Sequence, residues 1–204
     1  MTVDPNQHDV FVLRQKIKLV INQYEFFLPN GNQPGEPICF VEQKRFKFKE
    51  DIRFFTDDSK QTELLRIKAR QRFDPRARYD VTGAGGEKIG QIQKAFGKSL
   101  LRSTYLLYGA NDEELATVSE KNLTVAIFRR IVGFIPFIGG FADLMPIAYD
   151  FEFRHGEKLL GTNTRRRWKL RDVYTIDMSP DAERTVDRRL VLALAVGQDA
   201  LQAR

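Results

Sequence analysis

Apolar and polar residues alternate along the first part of the chain. Apolar side chains recur at every second position in two stretches, Val10 and Val12 in the first, then Ile17, Leu19 and Ile21. A period of two places these side chains on one face of an extended chain, which predicts β-strands with one packed face. The pattern continues in pieces to about residue 176, so strands are predicted over most of the chain.

A local pattern recurs three times in the region predicted as strand. Each copy has an aromatic residue, an apolar or aromatic residue six positions later and another two positions beyond. The copies lie at 46–54, 73–81 and 168–176, and basic residues precede each of them. Turn-forming residues separate the strands, with a loop predicted at 28–37 and turns at 56–60, 82–86, 109–113 and 155–158. The spacing predicts around a dozen strands in a meander that closes on itself.

The C-terminal segment has a different pattern. Ser179 is a good N-cap and Pro180 suits the first helical position, which predicts a helix over 180–202. The run Leu190–Val196 is apolar over about two turns, so the helix has no polar face there. It is far shorter than the roughly 20 apolar residues of a bilayer span. We therefore predict an all-β fold, a closed barrel of about twelve strands that surrounds a central hydrophobic C-terminal α-helix.

Composition and the chain start narrow the class of protein. Residues 1–9 are polar and are predicted to form a flexible tail, and 10–204 a single domain. The tail excludes a secretory signal, which predicts a cytoplasmic location, peripheral at the membrane if lipid is bound. Cys39 is the single cysteine, which excludes an internal disulfide and a cysteine-based metal cluster. The formal charge of +6 is compatible with an anionic partner.

Several of these segments resemble the tubby C-terminal-like superfamily. They are Tyr79-Asp-Val-Thr-Gly83, Glu87-Lys-Ile-Gly-Gln-Ile92, and the closing strand 168–176 followed by 187–200. The LURP-one-related and phospholipid-scramblase-like branch is the most similar, over about residues 10–201. The resemblance implies a twelve-stranded barrel around a C-terminal helix. Members include phosphoinositide-binding adaptors and proposed lipid scramblases, so the resemblance implies fold more directly than function.

Two features of the superfamily do not carry over to this sequence. No acidic calcium-binding segment of the scramblase kind precedes the final helix, where 177–181 holds only two acidic residues. The phosphoinositide-binding lysine and arginine of tubby proteins have no unique counterpart in this sequence.

No catalytic or metal-binding pattern is visible either. The two histidines, His8 and His155, are far in sequence from each other and from Cys39, so neither a metal site nor a catalytic nucleophile is indicated. We predict a protein that is not an enzyme and has no cofactor or metal.

A basic group lies near the end of the predicted barrel. On one continuous strand, alternate residues share a face, so Trp168 would face the core while four cations project outward together. These predicted anionic-headgroup ligands are Arg165, Arg167, Lys169 and Arg171. Guanidinium groups suit bidentate contacts with phosphate. The alternative is a solvated outer face that pairs with acidic side chains on neighbouring strands.

An apolar stretch at 123–148 interrupts the strand pattern and resembles an insertion. A short helix with an apolar stripe is predicted at its start, and Pro136 and Gly139-Gly140 end regular structure. The residues predicted to contact a membrane or a partner are Ile127, Phe128, Ile131, Phe134, Ile135, Phe137, Ile138 and Phe141. Three locations stay open: a lid over a barrel end, a dimer interface or a membrane surface.

These features predict a non-enzymatic binding module for an anionic membrane surface or a phosphoinositide-type headgroup. The alternative is a soluble protein–protein scaffold, a dimer formed through 127–141 or a complex with another protein. Lipid scrambling is a third reading that the resemblance alone favours. Nucleic acid is not expected as a partner, because no recognition helix is visible.

Overall fold

The computed structural model describes residues 3–17, 21–31, 33–44, 51–70, 78–95, 103–121, 150–166 and 172–202. Within these residues the chain forms twelve strands and a C-terminal helix. The strands are β1 Val10–Ile17, β2 Ile21–Asn30, β3 Gln33–Lys44, β4 Asp51–Phe55, β5 Glu63–Ala69, β6 Arg78–Gly83, β7 Lys88–Lys94, β8 Thr104–Tyr108, β9 Glu114–Glu120, β10 Phe151–His155, β11 Lys158–Arg166 and β12 Asp172–Asp177. The helix, α1, is Arg188–Gln202.

The strands form one closed antiparallel barrel in which neighbours in sequence are neighbours in the sheet. β1 closes it, because Val12 pairs with Phe27 of β2 and with Thr175 of β12. Every strand therefore has a neighbour on both sides, although β3 and β4 pair only at Phe40–Phe55 and Val41–Phe54 among the described residues. The predicted barrel of about twelve strands is confirmed.

The apolar run of α1 is surrounded by protein on every side. Leu190 to Leu194 and Val196 have no exposed surface, and Ala195 is 8% exposed. They belong to one core cluster with inward-facing residues of the strands, such as Phe54 and Val118. The predicted central hydrophobic helix is therefore confirmed, because burial on all faces is what an all-round apolar helix requires.

The predicted start of the helix at 180 was wrong, since α1 begins at Arg188. The Asp181 carboxylate accepts hydrogen bonds from the backbone N–H groups of Thr185 (2.9 Å) and Val186 (3.1 Å), which holds this segment in turns. Asp187 caps the helix instead, because its Oδ1 accepts from the backbone N–H of Arg189 at 2.8 Å. The segment therefore contained two acceptable caps, and the later one is used.

The predicted flexible tail at 1–9 was also wrong for residues 3–9. Pro5–Gln7 forms a 3-10 turn, and Pro5 is buried. Asn6 Oδ1 accepts a hydrogen bond from the backbone N–H of Arg188 at 2.8 Å, so it supplies a second cap to α1. The polar character that suggested flexibility serves these contacts with the helix start.

The loop predicted at 28–37 is largely strand. β2 and β3 stay paired as far as Asn30 and Gln33, with Gly31 in the turn between them at a φ of 55°. The register shifts near Phe27, where the ladder is irregular. Proline is tolerated at such positions because no ladder hydrogen bond is required from its nitrogen, so the proline content misled the prediction.

Candidate anion-binding end of the barrel

The two ends of the barrel have different connections. At one end, here called the turn end, tight hairpins close the strands, residues 3–9 pack, and α1 begins. At the other, the connection end, strands such as β1, β3 and β11 finish at Ile17, Lys44 and Arg166. The segments that join strands at the connection end are 18–20, 45–50, 71–77, 96–102, 122–149 and 167–171, all outside the described residues.

Formal charge is segregated between the two ends. The six connection-end segments contain thirteen basic and three acidic residues: Lys18, Arg45, Lys47, Lys49, Arg72, Arg76, Lys98, Arg102, Arg129, Arg130, Arg167, Lys169 and Arg171 against Glu50, Asp74 and Asp143. The turn-end segments 3–9, 56–62, 84–87, 109–113, 156–157 and 178–187 contain eleven acidic and two basic residues: Asp4, Asp9, Asp57, Asp58, Glu87, Asp112, Glu113, Glu157, Asp181, Glu183 and Asp187 against Lys60 and Arg184. The overall charge of +6 therefore conceals a basic end and an acidic end.

Basic side chains on the outer faces of the strands are largely paired with acids. Lys16 Nζ lies 2.7 Å from Glu25 Oε1, and Arg70 Nε lies 2.9 Å from Asp80 Oδ2. Exposed pairs of this kind contribute little to stability, but they cancel charge locally. The connection-end and turn-end segments carry +10 and −9, so the contrast between the two ends is larger than the overall charge of +6.

Arg165 is the predicted headgroup ligand that falls within the described residues. It lies on β11 opposite Tyr174 of β12, and Asn163 pairs with Ile176 on the same face. Asn163 and Ile176 are buried inside the barrel, so alternation places Arg165 on the inner face. This differs from the outward orientation that the sequence predicted for it.

The reason is that the chain reverses direction after β11, which ends at Arg166. Arg166 pairs with Val173 across an antiparallel hairpin, so the chain reverses between them. The rule that alternate residues share a face holds only within one strand, so it cannot be extended past the point where the chain reverses. Three predicted ligands, Arg167, Lys169 and Arg171, lie outside the described residues, between the paired ends of β11 and β12.

Residues next to the basic segment 167–171 and the apolar segment 122–149 are hydrogen-bonded to each other at the connection end. The backbone N–H of Arg165 donates to Asp150 Oδ1 at 3.3 Å, and Asp150 immediately follows the apolar segment. On the other border, the backbone N–H of Lys121 donates to the Asp150 carbonyl at 2.8 Å. All eight apolar contact residues predicted within 127–141 lie outside the described residues.

One part of the barrel interior becomes polar toward the connection end, whereas Ile52, Tyr79 and Ile92 keep another part apolar. Near the turn end the inward-facing side chains are apolar, as at Phe11, Phe26, Leu107, Ala116 and Phe153. Toward the connection end, β1, β2, β3, β9 and β11 present polar residues to the interior, which are Gln15, Asn22, Gln43, Glu120 and Asn163. Sequence analysis did not identify these residues, because the face of each one depends on strand register.

The turn end is closed by a buried ionic group. The Arg188 guanidinium, fully buried, lies 2.7 Å from the buried Asp181 carboxylate and 2.8 Å from Asp9. Burial alone would raise the pKa of Asp181, but hydrogen bonds from Arg188, Val186 and Thr185 outweigh it and hold that pKa below its usual value. The group anchors the start of α1.

A recess of about 360 Å³ beside this group is lined in part by Glu113, Arg184 and Asp187. Its carboxylates do not suit an anion. The described residues contain no group of three or more acidic, histidine or cysteine side chains placed to hold a metal ion. Among the described helices, none has the length and apolarity needed to cross a membrane.

Comparison with known proteins identifies one family. A model of the LURP-one-related family matches residues 37–199, from β3 into α1. The match covers most of the chain and leaves out β1, the strand that closes the barrel. No significant match is found among curated proteins or among solved structures.

Proposed function

We propose, since the chain belongs to the LURP-one-related family, that its tubby-like barrel is a non-enzymatic module that binds an anionic membrane surface or phosphoinositide-type headgroup. In this proposal the protein is cytoplasmic and peripheral at the membrane. The observation that carries the proposal is the segregation of charge between the two ends of the barrel. The basic connection end faces the lipid and the acidic turn end faces solution.

Electrostatic screening makes the two ends act separately. The 15 residues of α1 run between the ends of the barrel and span about 22 Å at the usual helical rise. Potentials decay over a Debye length of about 8 Å at physiological salt, so the acidic end does not cancel the attraction at the basic end. Each lysine or arginine close to an anionic surface contributes about 1 kcal/mol.

In the proposed attachment, the predicted basic residues contact lipid phosphates, and the predicted apolar residues insert into the membrane surface. Arg167, Lys169 and Arg171 supply guanidinium and ammonium groups to lipid phosphates, whereas Arg165, on the inner face of the barrel, is not given this part. The apolar residues of 127–141 insert beside them, as arginine next to bulky apolar residues does in interfacial segments. Because the borders of both segments meet at Asp150, one docking event engages both.

The test is co-sedimentation with vesicles, neutral against anionic, across a salt series. We expect salt-sensitive binding to anionic vesicles only. The variant Arg167→Glu/Lys169→Glu/Arg171→Glu should lose most of it, about tenfold or more in affinity, because attraction becomes repulsion.

The control reverses the same number of charges away from the connection end, as Arg53→Glu/Lys60→Glu/Lys158→Glu. These side chains are 38–50% exposed, so solvent screens the repulsion between each new carboxylate and its acidic neighbour, and the fold should tolerate the change. The control should keep most of the binding. Equal loss in both variants would show that only net charge matters. Absence of binding by the wild type would contradict the proposal and favour the alternative, a protein–protein scaffold that pairs through 127–141.

A further inference from the structure

We infer that the recess at the turn end receives a lysine or arginine side chain from the connection end of a second copy of this chain, so that barrels associate head to tail. The inference goes beyond the proposed function, since it requires no lipid. Its site lies at the opposite end of the barrel from the proposed membrane contact.

The recess combines an apolar lining with a carboxylate. It opens between the β8–β9 turn and the segment before α1, and the apolar residues Ile89, Ala110 and Leu115 line it together with Glu113. Its volume of about 360 Å³ leaves room for a long side chain. Lysine and arginine each carry a cationic head on an apolar stem, so one such side chain can contact both parts of the recess.

Glu113 offers a negative charge that no neighbour neutralises. Its carboxylate accepts a hydrogen bond from the backbone N–H of Asn111 at 3.0 Å, and no basic side chain of the described residues forms an ion pair with it. The other charged groups that line the recess are occupied, since Asp187 lies 2.8 Å from Arg189 and Arg184 lies 3.3 Å from Asp9. A cation that enters the recess therefore has Glu113 as its partner.

The complementary surface is the connection end of another copy. The turn-end segments carry −9 and the connection-end segments +10, so the two ends attract each other when two barrels meet end to end. About 22 Å of helix separates the two ends of one barrel, which favours contact between copies over contact within one. Because the two surfaces differ, a pair still has one free end of each kind and can grow into a chain. Lipid and a second copy would compete for the connection end.

The experiment is sedimentation velocity of the wild type over a series of protein concentrations, at low and at physiological salt. The mean sedimentation coefficient should rise with protein concentration at low salt. The rise should shrink as salt is added, because salt screens the attraction between the ends. A wild type that stays monomeric at every concentration in low salt would overturn the inference and leave the proposed function standing.

Two variants with the same change of charge test the recess itself. Glu113→Lys should weaken self-association about tenfold or more, because it places a cation where the partner's cation docks. Asp58→Lys reverses an exposed carboxylate of the same end outside the recess, and should stay within about twofold of the wild type. Equal weakening by both variants would contradict the recess as the site. Glu113→Gln, which keeps the size of the side chain, serves as a second variant if Glu113→Lys does not fold.

A mixing experiment tests the identity of the occupant. The variant Arg167→Glu/Lys169→Glu/Arg171→Glu lowers the connection end from +10 to +4, since each reversal changes the charge by two, and alone it should associate weakly. Mixed with Glu113→Lys, it should form a complex of one copy of each that grows no further, because each variant keeps one intact end. Absence of that complex, or undiminished self-association of the triple variant, would overturn the inference. Glu113→Lys should bind anionic vesicles at least as well as the wild type, so the proposed function is tested separately.

Discussion

At the scale of single residues, the start of α1 depends on one buried arginine. Arg188 has no exposed surface, and its guanidinium contacts Asp181 and Asp9 as well as the carbonyl groups of Val186 and Asp181. Removing one partner of a buried ion pair leaves a charge without compensation, which is strongly destabilising. The contribution of the buried Arg188 cluster to the free energy of unfolding is therefore measured best by removing a single carboxylate.

Asp181→Asn should lower the free energy of unfolding at neutral pH by about 3 kcal/mol. The folded-state pKa of Asp181 is depressed, so its contribution is present above the pKa of the unfolded chain and is lost as pH falls through the folded value. The difference between wild type and variant should therefore shrink in acid. Urea unfolding across pH measures it, with the exposed Asp58→Asn as control, expected within about 0.5 kcal/mol of the wild type. A constant difference down to strongly acidic pH would contradict the role of this carboxylate.

At the scale of elements, α1 passes close to β7 because Gly90 faces it. A Cβ added at Gly90 would lie 2.4 Å from the Tyr108 backbone oxygen and 3.0 Å from Leu190 Cδ2. The backbone oxygen belongs to the neighbouring strand and cannot move without breaking the ladder.

Gly90→Ala should therefore destabilise the barrel by about 1–3 kcal/mol through overpacking, despite the higher strand propensity of alanine. Thermal unfolding measures the change. Gly85→Ala in an exposed turn is the control, because an added Cβ there meets only the flexible Glu87 side chain at 3.2 Å. If Gly90→Ala were as stable as the control, the close approach of helix and strand would be disproved.

The elements that sequence predicted correctly are those with a local signal. Strand alternation gave the barrel, and the apolar run Leu190–Val196 gave the buried helix. The helix start was missed because the segment offers two local caps, and the one that is used, at Asp187, is supported by Asn6, which lies 182 residues from Arg188 in sequence. The inner-face positions of Arg165 and Asn163 were missed for a similar reason. Both depend on register between strands or between strand and helix, and neither has a sequence signature.

At the scale of the whole molecule, the basic and acidic ends give the barrel an orientation. A count of charge in each predicted connection would have indicated this from sequence, provided that strand directions were known. The overall charge of +6 did not, because the opposite charges of the two ends nearly cancel in the sum. In the proposed membrane attachment, this arrangement leaves the acidic turns and the start of α1 in solution.

The measurement that tests this account most directly is fluorescence quenching of single labels by quencher-bearing lipid in anionic vesicles. One variant carries the label at Ser99→Cys in a connection-end segment, and the other at Ser59→Cys in an exposed turn. The native Cys39 does not compete, because it is buried and burial raises the pKa of its thiol. End-on attachment predicts strong quenching of the label at 99 and little at 59. Equal quenching, or stronger quenching at 59, would contradict it.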